Sequence, residues 1–269
     1  MNQTAESPNC YNCGTPLRGP FCAVCGQKAQ PLDLTLHDFV HELGEETLHV
    51  DGRILASVRQ LFMKPGFLTR EYFIGHRARW VSPLRLYLLF SLLYFGILAL
   101  PGLTGLRPPV KADSPQDVDP AVQELGFSNE QDLRDAANHA RATWVPRAMF
   151  LLVPFLAWLV KVADRDAGKN YLQHLYFALH LQAAWFGAAA LAALPAPIAP
   201  QVAGGLTSFV LPVFALLYTV AALRTAYGGS KARAWRRGVV VVAVYGAATV
   251  VVTLAIVLPV VLGRSLIHS

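Results

Sequence analysis

The chain has 269 residues, 54% of them hydrophobic and only 15% charged, with a mean hydropathy of +0.38. A soluble domain carries about 25% charged residues, so this composition excludes one, and an all-α polytopic membrane protein is expected. The net charge of +6 lies beside apolar stretches, where anionic lipid headgroups attract Lys and Arg, and is read as membrane topology rather than as a nucleic-acid surface.

Met1 to Pro8 forms a polar tip, and the first 30 residues lack the apolar core of a secretory signal. The stretch CYNCGTPLRGPFCAVCGQ then places Cys10 and Cys13 in one C-x-x-C and Cys22 and Cys25 in another, each followed directly by a glycine, Gly14 and Gly26. Glycine admits the positive-φ turn that aims backbone N–H groups at sulfur. Four thiolates offered by two such turns make a closed tetrahedral Zn2+ site, structural because no coordination position stays open. Only eight residues separate the pairs, fewer than in the usual ribbon, so residues 1–30 are expected to form a minimal zinc ribbon folded mainly by its metal. A redox C-x-x-C, an iron site and two disulfides are the alternatives, and a cytosolic position disfavours the disulfides. Only Arg18 and Lys28 are basic here, too few for a nucleic-acid contact.

Residues 31–83 read as two amphipathic juxtamembrane helices. The first, Thr35 to Leu48, places Leu36, Phe39, Val40, Leu43 and Thr47 at helical spacing behind a capping box of Thr35 and Asp38. His37 and His41, four apart, offer a metal pair, but with no carboxylate-rich segment nearby they read as a polar flank. The second helix starts after Asp51, turns Ile54, Leu55, Val58, Leu61 and Phe62 to one face, and ends at Lys64-Pro65-Gly66. Neither is long enough to span, which places both against the inner leaflet or the bundle. From Phe67 to Val81 the chain approaches the bilayer through Tyr72, Phe73 and Trp80, expected as interfacial aromatics. The membrane-surface cations Arg70, Arg77, Arg79 and Arg85 accompany them.

After Pro83 the transmembrane domain, 84–269, is expected to hold five spans at about 84–100, 148–162, 172–194, 202–223 and 239–262, each near the ~20 residues that cross the hydrocarbon. The loop 103–146 carries seven acids against Arg107, Lys111, Arg134 and Arg141 and suits the outer side. From Ser128, capped with Gln131, a helix leads toward the second span. Between the fourth and fifth spans lie Arg224, Lys231, Arg233, Arg236 and Arg237 with no acid. Because cytoplasmic flanks carry the Lys/Arg excess, the N-terminus is expected inside and the C-terminus outside, in a bacterial inner membrane.

The third span, YLQHLYFALHLQAAWF, is the one span with several polar groups: Gln173, His174, His180 and Gln182. Ionisable groups inside a span are functional candidates. Yet His174 and His180 are six apart, about 120° around an ideal helix, so they cannot chelate one ion by themselves. Interhelical hydrogen bonds are favoured over a conduction or metal path. Ala183, Ala184, Gly187 and Ala188 mark close helix packing.

Several of these residues recur as a set: the paired C-x-x-C-G with Gln27 after the second, Lys64 to Gly66 followed by Glu71, Tyr72, Gly75 and Arg77, the SP-x-R-x-Y of Ser82 to Tyr87, and H-L-x-F-A-L-H in the third span. The set resembles bacterial membrane proteins containing the domain of unknown function 3667, and the resemblance covers nearly the whole chain. It implies a zinc ribbon joined to a helical membrane domain, with no assigned activity. Relatives commonly carry a Glu before the first His and a further His two residues after the second. Gln173 and Gln182 stand at those positions here, which counts against a metal or proton-relay site.

The leading functional expectation is a non-enzymatic docking or regulatory protein whose zinc-binding ribbon offers a cytosolic face to a protein partner. The alternative is a small-solute or ion transporter using the polar residues of the third span, as a homo-oligomer because five spans show no inverted repeat. There is no G-x-S-x-G, H-E-x-x-H or P-loop, and no pair of carboxylates within a span, which argues against an enzyme.

Overall fold

The computed structural model of the chain describes residues 8–32, 52–99, 122, 127–165 and 168–265. The helix expected at 35–48, with His37 and His41, lies outside them, as do nearly all of the first part of the 103–146 loop and the last four residues. The architecture is helical: α1 (Arg53–Met63), α2 (Phe67–Phe73), α3 (Pro83–Ala99), α4 (Glu130–Ala163), α5 (Tyr171–Ala193), α6 (Pro200–Tyr227) and α7 (Lys231–Ser265). A single π turn, Leu206–Val210, interrupts α6. Among the described residues the extended pairing amounts to two isolated bridges in the N-terminal segment. Four helices, α4 to α7, are long and apolar enough to cross a membrane, and α3 is a shorter apolar helix. Leu92, Leu151, Phe209 and Val251 are among the large apolar side chains left exposed on these helices, the outward face that a bilayer would cover.

The bundle is organised around α5. Within the most apolar window of each long helix, 78% of α5 is buried, against 39% for α4, 28% for α6 and 11% for α7. Its small residues let neighbours approach, as membrane helix packing requires. At Gly187 a Cβ would lie 2.5 Å from the Phe62 ring and 3.0 Å from that of Phe90, and those two rings meet edge to face at 5.5 Å. Phe186, one residue earlier, gathers Tyr87, Tyr94 and Phe95 of α3.

The α1 helix differs from its expected face at one position. Leu55 is 78% exposed, while Ser57 is fully buried. At 100° per residue, Ser57 falls three after Ile54 and four before Leu61, in the middle of the packed stripe, and Leu55 lies off it. The buried Ser57 hydroxyl has a partner, since it accepts from Val81 N–H at 3.0 Å. The helix stops at Lys64-Pro65-Gly66. Gly66 has φ +79°, and a Cβ there would sit 2.3 Å from the Ala222 carbonyl oxygen. Both the left-handed backbone and the contact with α6 therefore demand glycine.

Expected as interfacial aromatics, Tyr72, Phe73 and Trp80 are instead buried. The short α2 is wedged against α5 and α6, so its rings fill interhelical space, Tyr72 meeting Tyr176 and Phe73 meeting Tyr227, while Trp80, in the turn after α2, packs on Phe67. Two further boundaries shift. Asn129, not Ser128, caps α4: it is the residue directly before the first helical one, its backbone is extended, and its side chain accepts from Asp132 N–H at 2.8 Å. The connection between α6 and α7 is Gly228 to Ser230 alone, with Lys231, Arg233, Arg236 and Arg237 already on the first turns of α7. Arg, Lys and Ala sustain a helix well, and the two positive-φ glycines, Gly228 and Gly229, supply the break.

Candidate functional site

The N-terminal segment is built from two knuckles of the same design, twelve residues apart. In the first, Cys10 N–H donates to Thr15 C=O and Gly14 N–H to Cys10 C=O, both at 2.8 Å; in the second, Cys22 N–H donates to Gln27 C=O at 2.8 Å and Gly26 N–H to Cys22 C=O at 2.9 Å. Antiparallel bridges close each, Asn9 with Pro16 and Phe21 with Lys28. Gly14 has φ +76° and Gly26 φ +71°, the turn conformation their position predicts.

These knuckles point four sulfurs at one centre. Cys10 and Cys25 Sγ are 3.5 Å apart, as are Cys13 and Cys22 Sγ, and all four ligand atoms lie within 4.8 Å of one another. A disulfide needs a far shorter S–S distance, and all four cysteines are free. Tetrahedral coordination at about 2.3 Å per bond separates sulfurs by roughly 3.8 Å, which these distances match. The site is electrostatically uneven: the Thr15 hydroxyl and amide beside Cys13 hold its thiol down to about 6, while burial pushes Cys10 up to about 11. A bound cation favours the thiolate at every ligand. Four sulfurs, with no carboxylate beside them among the described residues, are a full tetrahedral ligand set that could hold a metal ion.

The ribbon is clamped to the helical domain. Gln27, 9% exposed, donates through Nε2 to Gly75 C=O at 2.8 Å and accepts through Oε1 from the N–H groups of Arg77 and Ala78 at 3.1 and 3.0 Å. In return the Arg77 guanidinium donates to Pro31 and Leu32 C=O. Gly75 makes this approach feasible, since a Cβ there would meet Tyr11 at 2.7 Å and Leu32 at 2.8 Å. From the other side, Glu71 braces the same turn through its Oε2, 2.9 Å from His76 Nδ1 and accepting from Trp80 Nε1 at 3.3 Å. The sequence placed Gln27, Glu71, Gly75 and Arg77 in the family resemblance but not in one contact.

The four polar residues of α5 go to four separate destinations. Gln173 forms the capping box of its own helix with Asn170, each side chain bonded to the other's backbone N–H at 2.9 and 3.0 Å. His174 stacks on Tyr227 of α6, with Nδ1 2.9 Å from its hydroxyl. His180 places Nδ1 3.0 Å from Thr69 Oγ1 and its ring against Tyr72, both on α2. Gln182 donates to the Tyr245 hydroxyl of α7 at 2.7 Å. Among the described residues, no two of them share a hydrogen-bond partner.

The basic residues also divide. Arg70, Arg79 and Arg236 are exposed and Arg85 is half-buried, with Arg79 over the Trp80 ring at 5.4 Å. Arg77 is spent on the ribbon. Arg237, expected at the membrane surface, is buried in an ion pair with Asp164 at 2.6 Å that ties the start of α7 to the end of α4. Its helix is packed along α4, which draws the guanidinium inward and brings the acid just after α4 within reach.

The segment that the ribbon grips is also where the chain finds relatives. The family described as a protein of unknown function (DUF3667) matches residues 51–95, which span α1, α2, the 74–81 turn and most of α3, and the resemblance seen in the sequence holds there. No curated protein and no solved structure matches the chain.

Proposed function

We propose that the chain is a non-enzymatic regulatory protein of the bacterial cytoplasmic membrane, with five passes, the N-terminus inside and the C-terminus outside. Its ribbon holds one structural Zn2+ and acts on the helical domain. The grip of Gln27 on Gly75, Arg77 and Ala78 carries this reading. Gln27 follows directly on the second metal knuckle, so a change in the metal site is passed to the 75–78 turn, through Glu71 to α2, and from α2 to α5 and α6. A ribbon on a free linker could bind a partner without informing the bundle; a clamped one informs it. Phe21 and Val24, exposed on the second knuckle, offer the clamped ribbon a small apolar tip for a cytosolic partner. Arg70, Arg79 and Arg236 suit anionic headgroups. α3, at about 25 Å long, is within reach of a fifth pass. Transport through the third span has less support, because its polar groups are each committed to a different neighbour.

Hydrogen exchange on the full chain in lipid nanodiscs tests the coupling. Chelation should raise exchange in residues 8–32 and also in 74–81. Gln27→Ala should free 74–81 while the metal stays bound, at a cost of about 1–3 kcal/mol for the groups left unpaired. Exchange that rises in the ribbon alone would reduce it to a passive module. Elemental analysis finding iron or no metal would remove the zinc, and a reporter fused after Ser230 that behaves as periplasmic would reverse the topology.

A further inference from the structure

Beneath the Lys64–Gly66 turn, where α5 and α6 meet it, lies a narrow, partly open cleft whose walls include Leu61, Lys64, Thr69, His180, Tyr218 and Ala222. The space open to the centre of a water molecule is about 10 Å³, which is room for one water and nothing larger.

His180 is 4% exposed. Its Nδ1 is satisfied by Thr69 Oγ1, but its Nε2 has no hydrogen-bond partner among the described residues. A buried ring nitrogen left without a partner forfeits the hydration it had before folding, and native structures supply such atoms with protein groups or ordered water. The cleft offers a second polar wall. The Tyr218 hydroxyl donates its hydrogen to Leu61 C=O at 2.6 Å, which leaves its oxygen able to accept from a neighbour. The exposed Lys64 is part of the same wall, so the space is not sealed from solvent.

We propose that this cleft is a binding site for a single ordered water held by Nε2 of His180 and exchanging with bulk solvent past Lys64. The site stands independently of the metal reading. It makes His180 a hydrated imidazole inside the bundle, in contact with solvent through one molecule, and it assigns the Lys-Pro-Gly turn a role beyond ending α1: the turn roofs the site, and Gly66 seats that roof on α6.

Solid-state NMR on the metal-loaded full chain in lipid bilayers, with its histidines labelled in the imidazole nitrogens, tests this by measuring magnetisation transfer from water to each ring. The His180 signal is assigned by its loss in His180→Gln or, should that variant not fold, by elimination across single Gln replacements of each of the chain's other seven histidines. Transfer to His180 at short mixing times is expected, together with a density peak within about 3 Å of Nε2 in a high-resolution map. A folded chain in which His180 receives no transfer, or a map in which Nε2 contacts only protein atoms or a metal ion, overturns the proposal.

Discussion

The ribbon and the central helix α5 both concentrate polar side chains, and they are assembled in opposite ways. In the ribbon, residues 10 to 25 bring every sulfur to one point, and each knuckle satisfies its own backbone. In α5, Gln173, His174, His180 and Gln182 lie within ten residues yet diverge to its own cap, to α6, to α2 and to α7. Closeness in sequence produced a site in the first case and a set of separate braces in the second. The difference is geometric. Two tight turns with φ near +70° can aim four side chains inward, whereas a helix spreads successive positions by 100° and aims them at different neighbours.

The largest effect that would sharpen this contrast is at the metal. Cys22→Ser should abolish metal binding and with it a stabilisation of order 10–16 kcal/mol, the range seen for small structural zinc modules. Exchange protection across residues 8–32 should vanish, while circular dichroism retains the helical signal of α3 to α7. A collapse of that helical signal would show that the two regions share one stability, and the contrast would break.

A smaller effect is expected within the bundle. Arg237→Ala removes the guanidinium that neutralises Asp164, 3% exposed, and should cost about 3–5 kcal/mol, measured as unfolding of the purified chain in mixed micelles. Converting both residues to Leu should recover much of the loss, since a buried pair is often no more stable than apolar residues of similar volume. Equal destabilisation by the single and double variants would mean that Asp164 or Arg237 serves something besides the other.

The smallest effect concerns the braces. His174→Gln keeps a hydrogen-bonding group against the Tyr227 hydroxyl and should change stability little, whereas His174→Leu should cost about 0.6–2 kcal/mol in the same assay. Loss of function with His174→Gln at full stability and normal membrane level would mean that the imidazole's titration or ligation is what matters, and transport would become the better reading.

Composition alone determined that this is a helical membrane protein, and spacing alone picked out the four cysteines that the structure gathers at one point. Hydrophobic runs and C-x-x-C-G turns act over a few residues, so no distant part of the chain is needed to read them. The breaks at Lys64-Pro65-Gly66 and at Gly228-Gly229 belong to the same class. The tertiary structure alone decided what the remaining polar and aromatic residues do. Tyr72, Phe73 and Trp80 fit a bilayer interface as well as a packed core, and only the wedging of α2 between α5 and α6 chose the core. Arg77 and Arg237 look like any flanking cation until Leu32 and Asp164, 45 and 73 residues away, are brought to 3.0 and 2.6 Å. Gln27 becomes the joint between ribbon and bundle through partners 48 to 51 residues on. A hydrogen bond or ion pair is fixed by where both partners stand, and a local pattern contains only one of them.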